Sequence, residues 1–412
     1  MAKRKKKFRI NWKRFSVFLL LIICIIVAAI YLISAVNANS KKTKDISNAN
    51  TTLQTQPVDL SIMCVGDIMV HEPQLASQYD SETGKYSYDN NFKYVKPYIK
   101  GADLALCNVE TTFAGKPYTG YPTFSAPETL ATAIKNAGFD IAITSNNHMM
   151  DKGLDGVKRT LKILRENKLE TVGSILTQEE KRYAIKDVKG VKVGVVSYTY
   201  ENGTGEGSTS INGNPISDEA AASINSFNFN TLDEDLPKMK EVIKQAKDAG
   251  AEIVVAYFHW GEEYEMSSND SQKDLAKKIA ASGADVIFAS HPHVLQETDV
   301  LTVGDTGKKV PVFYSMGNFL SNQRSETLNN RHTEQGVMAK VNLTYEKNKG
   351  ITNIALDGIP TWVDKYSAGG KDVYEIVPLD DKISENKALA TSGHLSRAEQ
   401  ALEDANGSLK ID

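Results

Sequence analysis

SGADVIFASHPH, Ser282–His293, decides how this chain is read. A glycine stands where a helix would stop, an acid follows, and a short apolar run then ends on two histidines around a proline. The glycine suits a helix C-terminus and the run suits a buried strand. The same order recurs three more times. Lys100-Gly101-Ala102-Asp103 leads into LALCNVE, Ala137-Gly138-Phe139-Asp140 into IAITSNNH, and Ala249-Gly250-Ala251-Glu252 into IVVAYFHW. Helical periodicity precedes three of the four, in ETLATAIKNAG, LPKMKEVIKQAKDAG and SQKDLAKKIAASG. The helices differ too much to be a sequence repeat. Their alternation with wholly apolar strands predicts an α/β layered fold.

How these strands end carries the functional signal. They finish on Asn108 and Glu110, on Asn147 and His148, on His259, and on His291 and His293. The first strand of the body, LSIMCVGDIMVH, finishes on Asp67 and His71. Of seven histidines in the chain, only His332 and His394 lie elsewhere. In open α/β sheets the carboxyl ends of strands face one crevice, so these residues are expected to share a site. Pro292 stiffens the loop between two of them. Asn318, in YSMGNF, ends a further apolar run; it either lines the crevice or serves a turn. Taken singly, Asp67 reads as a turn cap, Glu110 as a surface acid, and His71 has the weakest claim.

Composition bounds the rest. The chain has 412 residues and a net charge of −3, with 41% apolar and 24% charged residues, as in an ordinary globular protein. Residues 1–14 hold eight Lys/Arg and no acid, so the remainder carries −11. An acidic body argues against nucleic acid as a partner. Phe15–Val36 contains 22 residues without a charge, enough to span roughly 30 Å of hydrocarbon at about 1.5 Å per residue. The positive flank predicts a cytoplasmic tail (1–14), a transmembrane helix (15–36) and a body outside the cell. Val36-Asn37-Ala38 resembles a signal-peptide cleavage site, but the run exceeds the roughly 7–15 residues of a signal core, which favours an uncleaved anchor. Residues 37–57 read as a flexible polar spacer, 58–379 as the body, and 380–412 as a helical or loose tail. Of three cysteines, Cys24 lies in the membrane run, while Cys64 and Cys107 read as small core residues.

Carboxylate, imidazole and amide together are the ligand set of Mn, Fe or Zn, as one ion or two. Two such ions about 3.5–4 Å apart polarise an ester and activate water. His148 then suits a proton donor, with Asp151 holding its ring in the useful tautomer.

Six stretches in order carry a resemblance: GDIMVH (Gly66–His71), NVE (Asn108–Glu110), SNNHMMDKG (Ser145–Gly153), HWGEEY (His259–Tyr264), SHPHV (Ser290–Val294) and YSMGNF (Tyr314–Phe319). Together they resemble the CapA family of poly-γ-glutamate capsule biosynthesis proteins. The resemblance implies a calcineurin-like metallophosphatase fold, a two-sheet sandwich flanked by helices. It also implies that Asp67, Glu110, Asn147, His259, His291 and His293 are metal ligands and that His148 is the catalytic histidine. The sequence departs from the metallophosphatase pattern in places. Asp-x-His is stretched to Asp67 and His71, Glu110 stands where Asp is usual, and the acid after His148 arrives late, as Asp151.

Three readings follow. The first is a membrane-anchored protein of capsule synthesis, export or attachment, working with a separate ligase and small membrane subunits on poly-γ-glutamate or a related anionic polymer. The others are a cell-surface metal-dependent phosphoesterase and a non-catalytic binding module. No Gly-x-x-x-x-Gly-Lys loop is present, which excludes the ATP-driven ligase itself.

Overall fold

The computed structural model describes residues 12–53, 56–205, 208–304 and 307–411. Residues 1–11 of the basic tail, positions 54–55 of the spacer and the last residue of the tail lie outside them. The chain divides into two compact units, Met1–Pro57 with Glu346–Asn348, and Val58–Tyr345 with Lys349–Asp412.

Among the described residues, the first unit holds one helix, Trp12–Leu53. Its stretch Trp12–Lys41 is long and apolar enough to cross a membrane. The helix runs on through most of the segment expected to be a flexible spacer. Between Val36 and Pro57 there is no glycine or proline to stop it.

The body holds two large sheets. One has the order Lys371–Pro378, Gly350–Ala368, Gln335–Glu346, Val58–Ile68, Leu104–Val109, Ile141–Ile143, Glu170–Val172, with Asn318–Leu320 beside the end of Val58–Ile68. The other has the order Ser226–Phe227, Val191–Tyr200, Ile253–His259, Val286–Ser290, Lys308–Phe313, Thr298–Val303, with Tyr183–Val188 pairing Val191–Tyr200. The strands named in the sequence pair in parallel within each sheet.

Side-chain alternation shows how the sheets stack. Ile62, Cys64, Leu104 and Leu106 of one sheet meet Ile253, Val255, Tyr257 and Phe288 of the other in a central core. The alternate residues face outward, Met63, Val65, Ala105 and Cys107 toward helices such as Thr129–Ala137. Val254, Ala256 and Phe258 face the helices Leu232–Asp248 and Asp270–Ala281. The body is therefore a two-sheet sandwich flanked by helices, and the strands Leu104–Val109, Ile141–Ile143, Ile253–His259 and Val286–Ser290 are buried on both faces, which is why their sequences are so apolar. Cys64 and Cys107 are free and buried.

The segment beyond Leu379 belongs to this body. Its helix Leu395–Ser408 buries Ala398, Ala401 and Ala405, small residues that share one helical face, and Leu409 follows into the core.

The recurring acid before each strand has a physical role. Asp103, Asp140, Glu252 and Asp285 each donate their backbone N–H to the carbonyl of a residue in the adjacent strand: Ser61, Ala105, Lys192 and Val254. Each carboxylate then accepts the N–H of that same residue, at 2.9, 3.1, 2.9 and 2.7 Å. The result is a two-point clasp that pins the register where each parallel strand begins. Three of the four glycines before them, Gly138, Gly250 and Gly283, take positive φ, as a helix-ending residue requires; Gly101 does not. Asp285→Ala leaves the N–H of buried Val254 unpaired and removes the ion pair to Lys308. The expected cost is about 1.5–3 kcal/mol, read as a fall of several degrees in the thermal midpoint; an unchanged midpoint would make the clasp incidental.

Candidate metal centre at the strand ends

The parallel strands of both sheets deliver their last residues to one crevice. Asp67, Asn108, Glu110, His259 and Asn318 are fully buried there, and Asn147, His148, His291 and His293 nearly so. Asp67 Oδ1 accepts a hydrogen bond from Asn108 Nδ2 at 2.8 Å, and its Oδ2 lies 3.0 Å from His293 Nδ1. Asn108 Nδ2 also reaches Glu110 Oε2 at 3.3 Å, so one amide spaces two carboxylates. His259 Nε2 lies 3.0 Å from Asn147 Oδ1. Glu110 Oε1 is 3.7 Å from His259 Nε2 and 3.8 Å from His293 Nε2, and it stands between two groups of donors. One group is Asp67, Glu110 and His259; the other is Glu263, His291 and His293. Within each, ligand atoms lie within 4.8 Å of one another.

The donor set fits a divalent cation. Glu110 Oε1 and His291 Nδ1 are buried without a hydrogen-bond partner, and buried polar atoms are rarely left so. Burial first, and then the charge of Asp67, push the Glu110 carboxyl well above the ordinary range. Burial also opposes ionisation of Asp67, but its hydrogen bond with His293 holds it below the usual carboxylate range. Burial lowers His259 to about 3 and His291 well below normal. Neutral imidazoles facing buried carboxylates are what a first-row cation binds. Supporting contacts aim the rings. His293 Nδ1 also lies 3.2 Å from Asn318 Oδ1, which leaves Nε2 free toward Glu110. Asn318 is held by Gln323 and the Thr333 carbonyl.

The SHPH loop is strained to achieve this. His291 and His293 adopt φ of 110° and 59°, costly for residues with a Cβ. The Pro292 carbonyl accepts the N–H of Tyr264 at 2.8 Å, which ties this loop to HWGEEY.

His148 and Asp151 stand beside the cation groups. His148 Nδ1 lies 2.9 Å from Asp151 Oδ2, and the same oxygen accepts the Phe124 N–H at 2.7 Å. His148 thereby faces a cleft of about 300 Å³ shared with His71, Phe124 and His293. His71 is in that wall and in neither cation group. Its Nδ1 accepts the Asn322 N–H at 3.3 Å, and burial lowers it to about 4. Asn108 and Asn318 act as braces. So does Asn146, whose Nδ2 donates to Asn108 Oδ1 and the Val109 carbonyl. Outside the site, His394 pairs with Asp364, and His332 lies 3.7 Å from Asp404.

Sequence reasoning passed over Glu263. It stands in HWGEEY, four residues beyond His259, on a loop that Gly261, with φ of 93°, turns back toward the site.

Residues 61–323 match the family model described as bacterial capsule synthesis protein PGA_cap. The chain belongs to this family. Every residue of the crevice falls within that PGA_cap segment. The chain is 32% identical over 273 residues to the capsule biosynthesis protein CapA of Bacillus anthracis, covering 64% of this chain and 60% of that one. It is 29% identical over 277 residues to the PGA biosynthesis protein CapA of Bacillus subtilis (strain 168), covering 64% of each. The alignments thus span less than two thirds of either relative. Among solved structures, TT1561 of Thermus thermophilus aligns over 73% of this chain and 99% of its own at a TM-score of 0.34 and 10% identity.

Proposed function

We propose that this member of the capsule-synthesis family is anchored by its N-terminal helix, holds its body outside the cell, and carries a divalent-cation centre of hydrolase type. Its substrate would be poly-γ-glutamate, a related anionic polymer or a phosphoester on the way to one. A capsule ligase and small membrane subunits would be its partners. The observation that carries the reading is Glu110 Oε1, buried and unpaired between His259 and His293.

Asp67, Glu110, Asn147 and His259 would hold one ion, and Glu263, His291 and His293, with Glu110 beside His293, a second, of Mn, Fe or Zn type. Bound there, the metal supplies Lewis acidity at the floor of the cleft. The chain's own residues do the rest. Asn108 keeps the two carboxylates apart and oriented. Asp67 and Asn318 fix the His293 ring. Asp151, itself fixed by the Phe124 N–H, holds His148 Nδ1 and leaves Nε2 as the proton donor to a leaving group.

Metal analysis by mass spectrometry tests this on the detergent-solubilised chain, purified without added metal or chelator. One to two equivalents are expected, and His291→Ala/His293→Ala should lose them while remaining folded by circular dichroism. No metal even after incubation with Mn²⁺ would refute the centre. His148→Ala should keep the metal but lose about 10²–10⁴-fold in phosphodiester turnover; undiminished turnover would remove His148 from the chemistry.

A further inference from the structure

The outer part of the cleft has a chemistry of its own. Among the described residues of the body, five large apolar or aromatic side chains are exposed: Tyr79, Tyr121, Tyr264, Val300 and Leu328. Three of them, Tyr121, Tyr264 and Leu328, line this one cleft. Single exposed apolar residues are ordinary, but their convergence at a mouth marks a binding surface. Tyr121 is 72% exposed and is backed edge-on by Phe124 at 6.5 Å, which in turn abuts His148 at 4.6 Å. Tyr264 lies beside His293, ring centroids 6.2 Å apart. Amides sit among the rings. Asn322 Oδ1 is taken by the Tyr374 hydroxyl, so it offers a ligand its Nδ2 hydrogens. Gln323 Nε2 reaches the Tyr264 hydroxyl at 3.3 Å. Among the described residues no lysine or arginine lines the cleft, and its carboxylate is Glu263.

The outer cleft offers a polyanion no lysine or arginine; positive charge would lie only at the cation centre on its floor, where Glu263 would offset part of it. An acyl chain would leave the amides and hydroxyls facing hydrocarbon, at a cost. A pyranose satisfies both halves, since its C–H faces pack on aromatic rings while its hydroxyls pair with amide, phenol and carboxylate. We propose that the Tyr121–Tyr264 cleft binds a neutral sugar ring of a glycan, placed beside the bond that the cation centre receives. The proposal rests on the reading of that centre given above. It makes the substrate a polymer–glycan junction, or a glycan acceptor, rather than the interior of a polyanion.

The test uses the full chain in a detergent without a sugar head group, with Mn²⁺ present. Neutral tetrasaccharides of N-acetylglucosamine, β-glucose and α-glucose are titrated by calorimetry and saturation-transfer NMR, with a γ-glutamate tetramer as the anionic comparison. At least one sugar is expected to bind saturably and more tightly than the γ-glutamate tetramer at physiological salt. Tyr121→Ala and Tyr264→Ala should each weaken it about tenfold or more. Metal content is measured on the same samples and should not change in either variant. No saturable sugar binding by any of the three, tighter binding of the anion, or sugar binding indifferent to both substitutions would overturn the proposal. Loss of metal from the wild type would instead defeat the reading of the centre, so the two failures are distinguishable.

Discussion

Glu110→Gln is expected to abolish cation-dependent stabilisation and yet leave the cation-free protein more stable than the wild type. The carboxylate is fully buried, one of its oxygens has no partner, and Asp67 shares its Asn108 amide. Without a cation, burial and the neighbouring Asp67 push the titration of Glu110 upward, so folding must either bury an uncompensated charge or take up a proton, and either costs stability. Glutamine keeps the volume, can still accept from Asn108 Nδ2, and turns its own N–H₂ toward the His293 Nε2 lone pair. A gain of about 1–2 kcal/mol in chelator is expected, with a rise of a few degrees in the thermal midpoint. Added cation reverses the order. A ligand at a hundred times its Kd stabilises the wild type by about 2.7 kcal/mol, whereas the variant has lost the carboxylate between the two donor groups and gains little.

The crossing of the two melting curves is the diagnostic. A merely structural glutamate would give a variant less stable than the wild type in both buffers, and that result would end the bridging role assigned to Glu110. The prediction follows a general pattern in which a binding site is assembled at the expense of the empty fold. Here the strained backbone of His291 and His293 adds to the same cost.

What could be read in advance follows from the same physics. Strands buried on both faces are apolar along their length, so polar residues appear only where the strands surface. That made Asp67, Glu110, His259, His291 and His293 conspicuous. Glu263 was not, because an acid on an exposed loop looks like any solvated acid until Tyr264 and Pro292 are seen to tie the loop back. Nor could sequence separate ligand from brace. Asn146 and Asn147 are neighbours of one type, and only the turn after Ile141–Ile143 sends one to Asn108 and the other to His259. The acids before each strand were visible as a pattern, but their purpose needed the adjacent strand's backbone. The spacer reading rests on the polarity of residues 37–57, which does not by itself distinguish a flexible segment from the continued helix seen to Leu53. The long antiparallel strands Gln335–Glu346 and Gly350–Ala368 are only partly buried over much of their length and lack a terminal motif, so they leave no comparable mark.

Gly66→Ala is expected to be among the most damaging single methyl additions in the body. A Cβ at position 66 would lie 1.9 Å from the Gly317 carbonyl oxygen and 2.9 Å from its carbon. The obstacle is backbone and cannot swing aside as a side chain would. Gly317 is itself hemmed in, with φ of 64° and a Cβ position 2.5 Å from the Gln335 carbonyl; a Cβ on Gly336 would meet the Asn318 carbonyl at 2.3 Å. Three glycines therefore let three backbone segments touch where Val58–Ile68, the turn before Asn318 and the start of Gln335–Glu346 converge. That contact includes the hydrogen bond from the Asp67 N–H to the Gly317 carbonyl, 3.0 Å, and so it sets Asp67 and Asn318 against His293. Overpacking of this kind costs about 3 kcal/mol or more, and the displaced carboxylate should take cation binding with it. Gly101→Ala is the control. Position 101 has no neighbour within 4 Å and no positive φ, and it closes a helix, where alanine is tolerated or better. The expected result is a drop of several degrees and loss of bound metal for Gly66→Ala, against an unchanged or higher midpoint with full metal for Gly101→Ala. A Gly66→Ala protein that melts with the wild type and holds its cation would mean that the strand and the turn can part without disturbing the centre. The ordering of Asp67 would then have to come from Asn108 and His293 alone.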